Sequence, residues 1–77
     1  MQDSHLKKVQ KTDILQTLRS FLVGESEFIP FSDSQTDVNT WRARYGILHR
    51  TGVIDGVFKF YSSQPGTTVG TLIIRVA

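Results

Sequence analysis

The sequence predicts a small α+β domain with helices first and a β hairpin last. Three observations carry that expectation. Ile14, Leu15, Leu18, Phe21 and Leu22 recur at helical spacing early in the chain. Two β-rich runs, Val57–Ser62 and Thr71–Val76, close it around a stretch containing Pro65-Gly66. Between these regions lies WRARYGILHR, Trp41–Arg50, which holds the single tryptophan and three of the five arginines.

Taken in order, residues 1–11 are polar and are expected to fray. Thr12 can cap a first helix, with Asp13 in its opening turn where the helix dipole favours an acid. The apolar spacing carries that helix over Thr12–Val23, and Gly24 offers a C-terminal cap. Its apolar stripe is a core face. Glu27–Phe31 (EFIPF) is apolar and extended around Pro30, which cannot donate to a central ladder, so an edge strand or bridging loop is expected. Ser32–Gln35 reads as a turn, after which Ser34, Thr36 or Asp37 can cap a second helix over residues 37–50. Thr51-Gly52 and Asp55-Gly56 break the pattern before the two strands, and Ser63–Gly70 forms the loop of their hairpin.

Trp41–Arg50 fits two periods. As a helix, Val38, Trp41, Tyr45 and Leu48 share one side. As a strand, Trp41, Ala43, Tyr45, Ile47 and His49 alternate with Arg42, Arg44, Gly46, Leu48 and Arg50. Gly46 weighs against the helix, because a mid-helix glycine costs about 1 kcal/mol relative to alanine. The helical reading is preferred, with Trp41 as a buried anchor.

Seventy-seven residues make one domain, and a chain of this size buries roughly 60% of its unfolded surface. It contains no cysteine, so neither a disulfide framework nor a thiolate metal site supports it. His5 and His49 are too few for a metal centre. No apolar run approaches the ~18 residues of a membrane span, and residues 1–8 lack the apolar core of a signal peptide. A soluble intracellular protein without membrane contact is expected.

Catalysis finds little support. The glycines form neither GxxxxGK[ST] nor GxGxxG, Ser62 and Ser63 lack an activating triad, and Glu25, Glu27, Asp33 and Asp37 lack EF-hand spacing. No enzyme activity, cofactor or small-molecule substrate is inferred.

Charge, although only +2 overall, is segregated. Residues 23–40 carry those four acids and no lysine or arginine. Residues 41–77 carry Arg42, Arg44, Arg50, Lys59 and Arg75 against Asp55 alone. A basic face toward a polyanion follows. On a helix over 37–50, Asn39, Ala43, Gly46 and Arg50 lie opposite the apolar side, with Thr40 and Ile47 beside them and Arg42 and Arg44 flanking. Small residues admit close approach to a groove, Asn and Arg read base edges, and arginines reach phosphates. Lys59, Gln64 and Thr67 of the hairpin add phosphate contacts. The expected partner is nucleic acid, DNA in preference to RNA, and the expected sites are Asn39, Thr40, Arg42, Arg44, Arg50, Lys59, Gln64 and Thr67.

Leu48-His49-Arg50-Thr51-Gly52-Val53-Ile54 followed by a hairpin resembles the end of a recognition helix and the wing of winged-helix DNA-binding domains. Thr12–Val23 would correspond to the family's first helix and Phe28-Ile29 to its short first strand. The resemblance implies a helix-turn-helix with a β wing and a role in transcription regulation. Under the strand reading, Arg50, Gly52, Gly56 and Phe58-Lys59-Phe60 instead resemble part of a picorna-like viral capsid jelly roll. That likeness implies a structural viral protein, a homo-oligomer or a piece of a larger assembly in a virion. A small protein–protein interaction module is a further alternative.

Overall fold

The computed structural model describes residues 13–77. Six elements follow in order: α1 (Ile14–Arg19), β1 (Ser26–Pro30), α2 (Phe31–Ser34), α3 (Val38–Arg50), β2 (Phe58–Ser63) and β3 (Gly70–Arg75). The strands form one antiparallel sheet in the order β1-β3-β2. The α+β class and the terminal hairpin are as the sequence predicts. No helix among the described residues is long and apolar enough to cross a membrane.

The first helix is shorter than its apolar spacing suggests. Asp13 is its N-cap and accepts from the Gln16 N–H (3.3 Å), while Thr12 and the stretch expected to fray lie outside the described residues. The helix stops at Arg19 because other groups claim the main chain beyond it. Ser20 Oγ donates to Thr17 O (2.6 Å), Glu25 Oε1 accepts from Leu22 N–H (2.7 Å), and Arg75 Nη1 donates to Phe21 O (2.8 Å). Local side-chain bonds of this kind compete with helical ones. Phe21 still enters the core, but Leu22 is 70% exposed. Gly24, the expected helix cap, instead forms a turn at φ +89° and donates its N–H to Arg75 O (2.9 Å).

β1 is an edge strand, as Pro30 requires. Phe31 N–H donates to Val69 O (2.8 Å) and Arg75 N–H to Glu25 O (2.9 Å), so odd-numbered residues turn their main-chain groups toward β3. Pro30 then faces the free edge, where its missing donor is not needed. Ser32–Gln35, expected as a turn, contributes to the single helical turn of α2, with Gln35 leaving it in the left-handed region at φ 53°. Ser34 and Thr36 are buried there and bond to each other's main chain: Thr36 N–H donates to Ser34 Oγ (3.2 Å) and Thr36 Oγ1 to Ser34 O (3.0 Å).

Asp37 wins the contest for the α3 N-cap, its Oδ1 accepting from Thr40 N–H at 2.8 Å. That bond, from the main chain of Thr40 above all, holds the Asp37 carboxyl below its ordinary range. A depressed acid contributes stability that is complete above its unfolded pKa and is lost as pH falls through the folded one. Asp37→Ala is therefore expected to lower Tm at pH 7, with the gap from the parent closing as the solution is acidified through the carboxylate range. Melts from pH 7 downward check this, and a gap independent of pH would contradict it.

The core lies between α1, α3 and the inner face of the sheet: Leu18, Phe21, Trp41, Ile54, Phe58, Phe60 and Ile73. Its centre is an aromatic stack. Trp41 lies over Phe60 (6.1 Å between centroids, 22°), Phe60 over Phe58 (6.4 Å, 24°), and Phe21 meets Phe58 edge-on at 5.7 Å. Arg75 spans the end of this stack, over the Phe58 ring at 5.8 Å, with Nε donating to Ala77 O at 3.1 Å.

Candidate nucleic-acid interface

α3 is organised by what it buries. Trp41 is fully enclosed, and Val38, Tyr45 and Leu48 pack around it, so the helical period prevails over the strand period through residues 38–50. The strand on which the jelly-roll resemblance rests is not adopted. With Trp41 fixed inward, a rotation of about 100° per residue sends Asn39, Ala43 and Arg50 almost directly away from the core. Asn39, Thr40, Ala43, Arg44, Ile47 and Arg50 are all solvent-exposed. Four of the sequence-predicted site residues, Asn39, Thr40, Arg44 and Arg50, are thus presented by one rigid helix.

Gly46 continues the helix with ordinary negative φ, contrary to the weight it carried against one. A Cβ built on it would lie 3.5 Å from Arg50 Nη1, so the Arg50 guanidinium folds back beside the glycine rather than pointing straight out. That spacing is ordinary contact and obstructs no methyl group. Gly46→Ala is accordingly expected to stabilise the domain by up to about 1 kcal/mol in thermal or urea melts. A destabilised variant would show that the glycine serves packing.

The two flanks of α3 differ. On one, Arg44 lines a groove with Asp13, Ile14, Leu15, Ile47 and Leu48, where α1 meets α3. On the other, Arg42 turns to the sheet. Val57 N–H donates to Ala77 O (2.9 Å) and Val76 N–H to Val57 O (2.7 Å), which leaves Phe58, Phe60 and Ser62 facing the free edge of β2. Arg42 Nη2 donates to Phe60 O on that edge at 2.6 Å. Tyr45 Oη closes the next position, donating to Gly56 O (2.9 Å) and accepting from Phe58 N–H (3.3 Å). Arg42 is therefore tethered to its own fold. Arg75, the fifth cation of the basic half, is likewise committed to Phe21 O and Ala77 O.

The hairpin residues are spread out. Lys59 sits on the outer face of the sheet, directly opposite Ile74 in register, and shares a groove with Arg42 along the β2 edge. Gln64 and Thr67 are exposed in the β2–β3 loop. That loop leaves the sheet near the start of α3, since Ser62, Val69 and Gly70 line one cavity with Asp37 and Val38. Gln64 and Thr67 therefore belong to the Asn39 end of the helix, and Lys59 to a separate surface. Ile47, exposed on the outward side of α3, stands outside the set of polar residues expected to bind. Its signal in the sequence is an isoleucine within the polar arc of the helix.

Among the described residues no group of three or more His, Asp or Glu side chains could hold a metal ion. The class these features define is a small α+β domain of three helices and a three-stranded antiparallel sheet, with a polar and cationic helix face turned to solvent. Compared with known protein families, curated proteins and solved structures, the chain matches none.

Proposed function

We propose that the chain is a non-catalytic DNA-binding module of the winged-helix kind, with α3 as its recognition helix, acting as a small regulator of transcription. The observation that carries this reading is the outward face of α3. It offers Asn39 and Arg50 for base edges, Arg44 and Thr40 for phosphates, and Ala43 and Gly46 for close approach. Trp41 holds that face in place from beneath. The element order supports the same reading: helix, strand, two further helices, then a hairpin whose last strand lies centrally in the sheet. α2 departs from the family pattern in being a single turn. Gln64 and Thr67, in the loop beside the Asn39 end, correspond to the wing.

The charge distribution gives the interface a direction. Asp33 and Asp37 lie at or before the N-terminal end of α3, and Arg44 and Arg50 occupy its later turns. The cationic phosphate contacts are therefore concentrated toward the C-terminal half of the helix, while the uncharged ones, Thr40 with Gln64 and Thr67, lie toward its N-terminal end.

Fluorescence anisotropy with duplex DNA across a salt series tests the proposal. Affinity is expected to fall with a log–log slope of about −0.9 per phosphate neutralised. Arg44→Ala is expected to weaken all sequences alike and make the slope shallower by about one such unit, whereas Arg50→Ala relaxes sequence preference. Absence of binding at low ionic strength, or binding indifferent to salt, overturns the reading.

A further inference from the structure

The outward face of α3 is not polar throughout. Ile47 is 49% exposed there, one turn after Ala43, and the two make a narrow apolar strip. Asn39 and Arg50 lie along one side of the strip, Thr40 and Arg44 along the other. Ile47 also lines the α1–α3 groove with Ile14, Leu15 and Leu48, so its side chain borders the fold while about half of its surface meets water. An exposed β-branched residue contributes little to an isolated helix, and alanine, lysine or glutamate would serve a solvated position better.

Resting on the reading of α3 as a major-groove helix, we infer that Ile47, with Ala43, recognises the 5-methyl group of thymine. The chemistry is specific. Among the four unmodified bases, thymine alone presents an apolar group in the major groove, and every other feature there is a hydrogen-bond donor or acceptor. An apolar strip between an asparagine and two arginines therefore complements a thymine-containing site and mismatches a run of G·C pairs. Ala43 and Ile47 are separated by four residues, or about 6 Å along the helix axis. That distance spans somewhat less than two base-pair steps of about 3.4 Å. The contact consequently covers methyl groups on neighbouring or next-neighbouring pairs.

The partner chemistry is fixed by the surrounding charge. Arg44 and Arg50 flank the strip on exposed positions of the same helix, which favours a polyanion over an apolar protein surface. Ile47→Ala isolates the proposed contact, because the residue is half exposed and alanine is the better helix former. Circular dichroism establishes that the variant keeps its fold.

The test compares binding of the parent and Ile47→Ala to two synthetic duplexes of equal length at one low salt concentration. One is alternating dA-dT and the other alternating dA-dU, which differs only by the thymine methyl groups. The parent is expected to bind the dU duplex more weakly, by about fourfold for each methyl contacted. Ile47→Ala is expected to keep only the part of that preference that Ala43 contributes, so the ratio between the two duplexes shrinks by about fourfold. Equal binding of both duplexes by the parent, or an undiminished thymine preference in Ile47→Ala, overturns the methyl contact while leaving DNA binding intact. Failure of the parent to bind either duplex overturns DNA binding itself.

Discussion

Replacing Trp41 with alanine is expected to cost about 3–5 kcal/mol, the range for removing a large aromatic side chain from a core. Trp41 is wholly enclosed, stacks on Phe60, and is the one buried residue of α3. A domain of this length has a total stability of about 4–12 kcal/mol at the usual 0.05–0.15 kcal/mol per residue. The variant should therefore be largely unfolded at 37 °C or melt far below the parent. Trp41→Phe separates volume from polarity. The Trp41 indole N–H has no hydrogen-bond partner among the described residues, so phenylalanine removes a buried unsatisfied donor along with part of the ring volume. Its loss in stability is expected to be clearly smaller than that of the alanine variant. Thermal and urea melts of both proteins decide the matter. An unchanged midpoint in Trp41→Ala would mean that the α3–β2 stack does not hold the domain together.

That dependence on one side chain explains what could be read from the sequence. The period of Trp41–Arg50 was ambiguous locally, since ten residues satisfied both a helix and a strand. What decides it is tertiary: a helix places Trp41 and Tyr45 against Phe58 and Phe60 with Leu48 packed on the same core, and the gain exceeds the local cost of Gly46. The outward face followed from geometry alone once the helix was chosen, so Asn39, Thr40, Arg44 and Arg50 were legible as a group. Arg42 was not. Its position on the wheel was correct, but its hydrogen bond goes to Phe60 O eighteen residues later, and no local pattern signals an arginine closing a strand edge.

The same limit applies at α1. The apolar spacing through Leu22 was real, and Phe21 does reach the core, yet the helix ends two residues earlier. Beyond it, Ser20 Oγ and Glu25 Oε1 engage the Thr17 carbonyl and Leu22 N–H that a longer helix would use, and Arg75, fifty-four residues away, holds the Phe21 carbonyl. Long-range side-chain bonds to the main chain are invisible to periodicity. They also tie two C-terminal cations, Arg42 and Arg75, to main-chain carbonyls, which leaves their charge in place but holds their guanidinium groups to the fold. Among the C-terminal cations this leaves Arg44 and Arg50 on the proposed interface and Lys59 on the far side of the sheet. The polyanion interface proposed for this domain is thus narrower than its basic half implies, and concentrated on one helix.

Gly70→Ala is expected to destabilise the domain by about 1–3 kcal/mol, the usual range for forcing extra atoms into a packed site. Gly70 begins β3, paired with Pro30 on one side and Ser63 on the other. A Cβ there would collide with the Ile29 carbonyl oxygen and approach Phe28 Cζ at 2.6 Å. The Phe28 ring covers the glycine, an arrangement that commonly protects such residues in sheets. The ring can swing away, but the carbonyl belongs to the β1 backbone and cannot move without shifting the strand. A double-mutant cycle with Phe28→Ala distinguishes the two contacts. If the ring contributes, Gly70→Ala costs less in the Phe28→Ala background; the cost that remains is the carbonyl's share. Because Gly70 also closes the loop carrying Gln64 and Thr67 beside Asp37 and Val38, the displaced strand should move that loop relative to α3. Gly70→Ala should then reduce DNA affinity even at temperatures where the protein remains folded. A variant with unchanged Tm would show that β1 and β3 accommodate the methyl group. Unchanged affinity in a destabilised but folded variant would remove the loop from the interface.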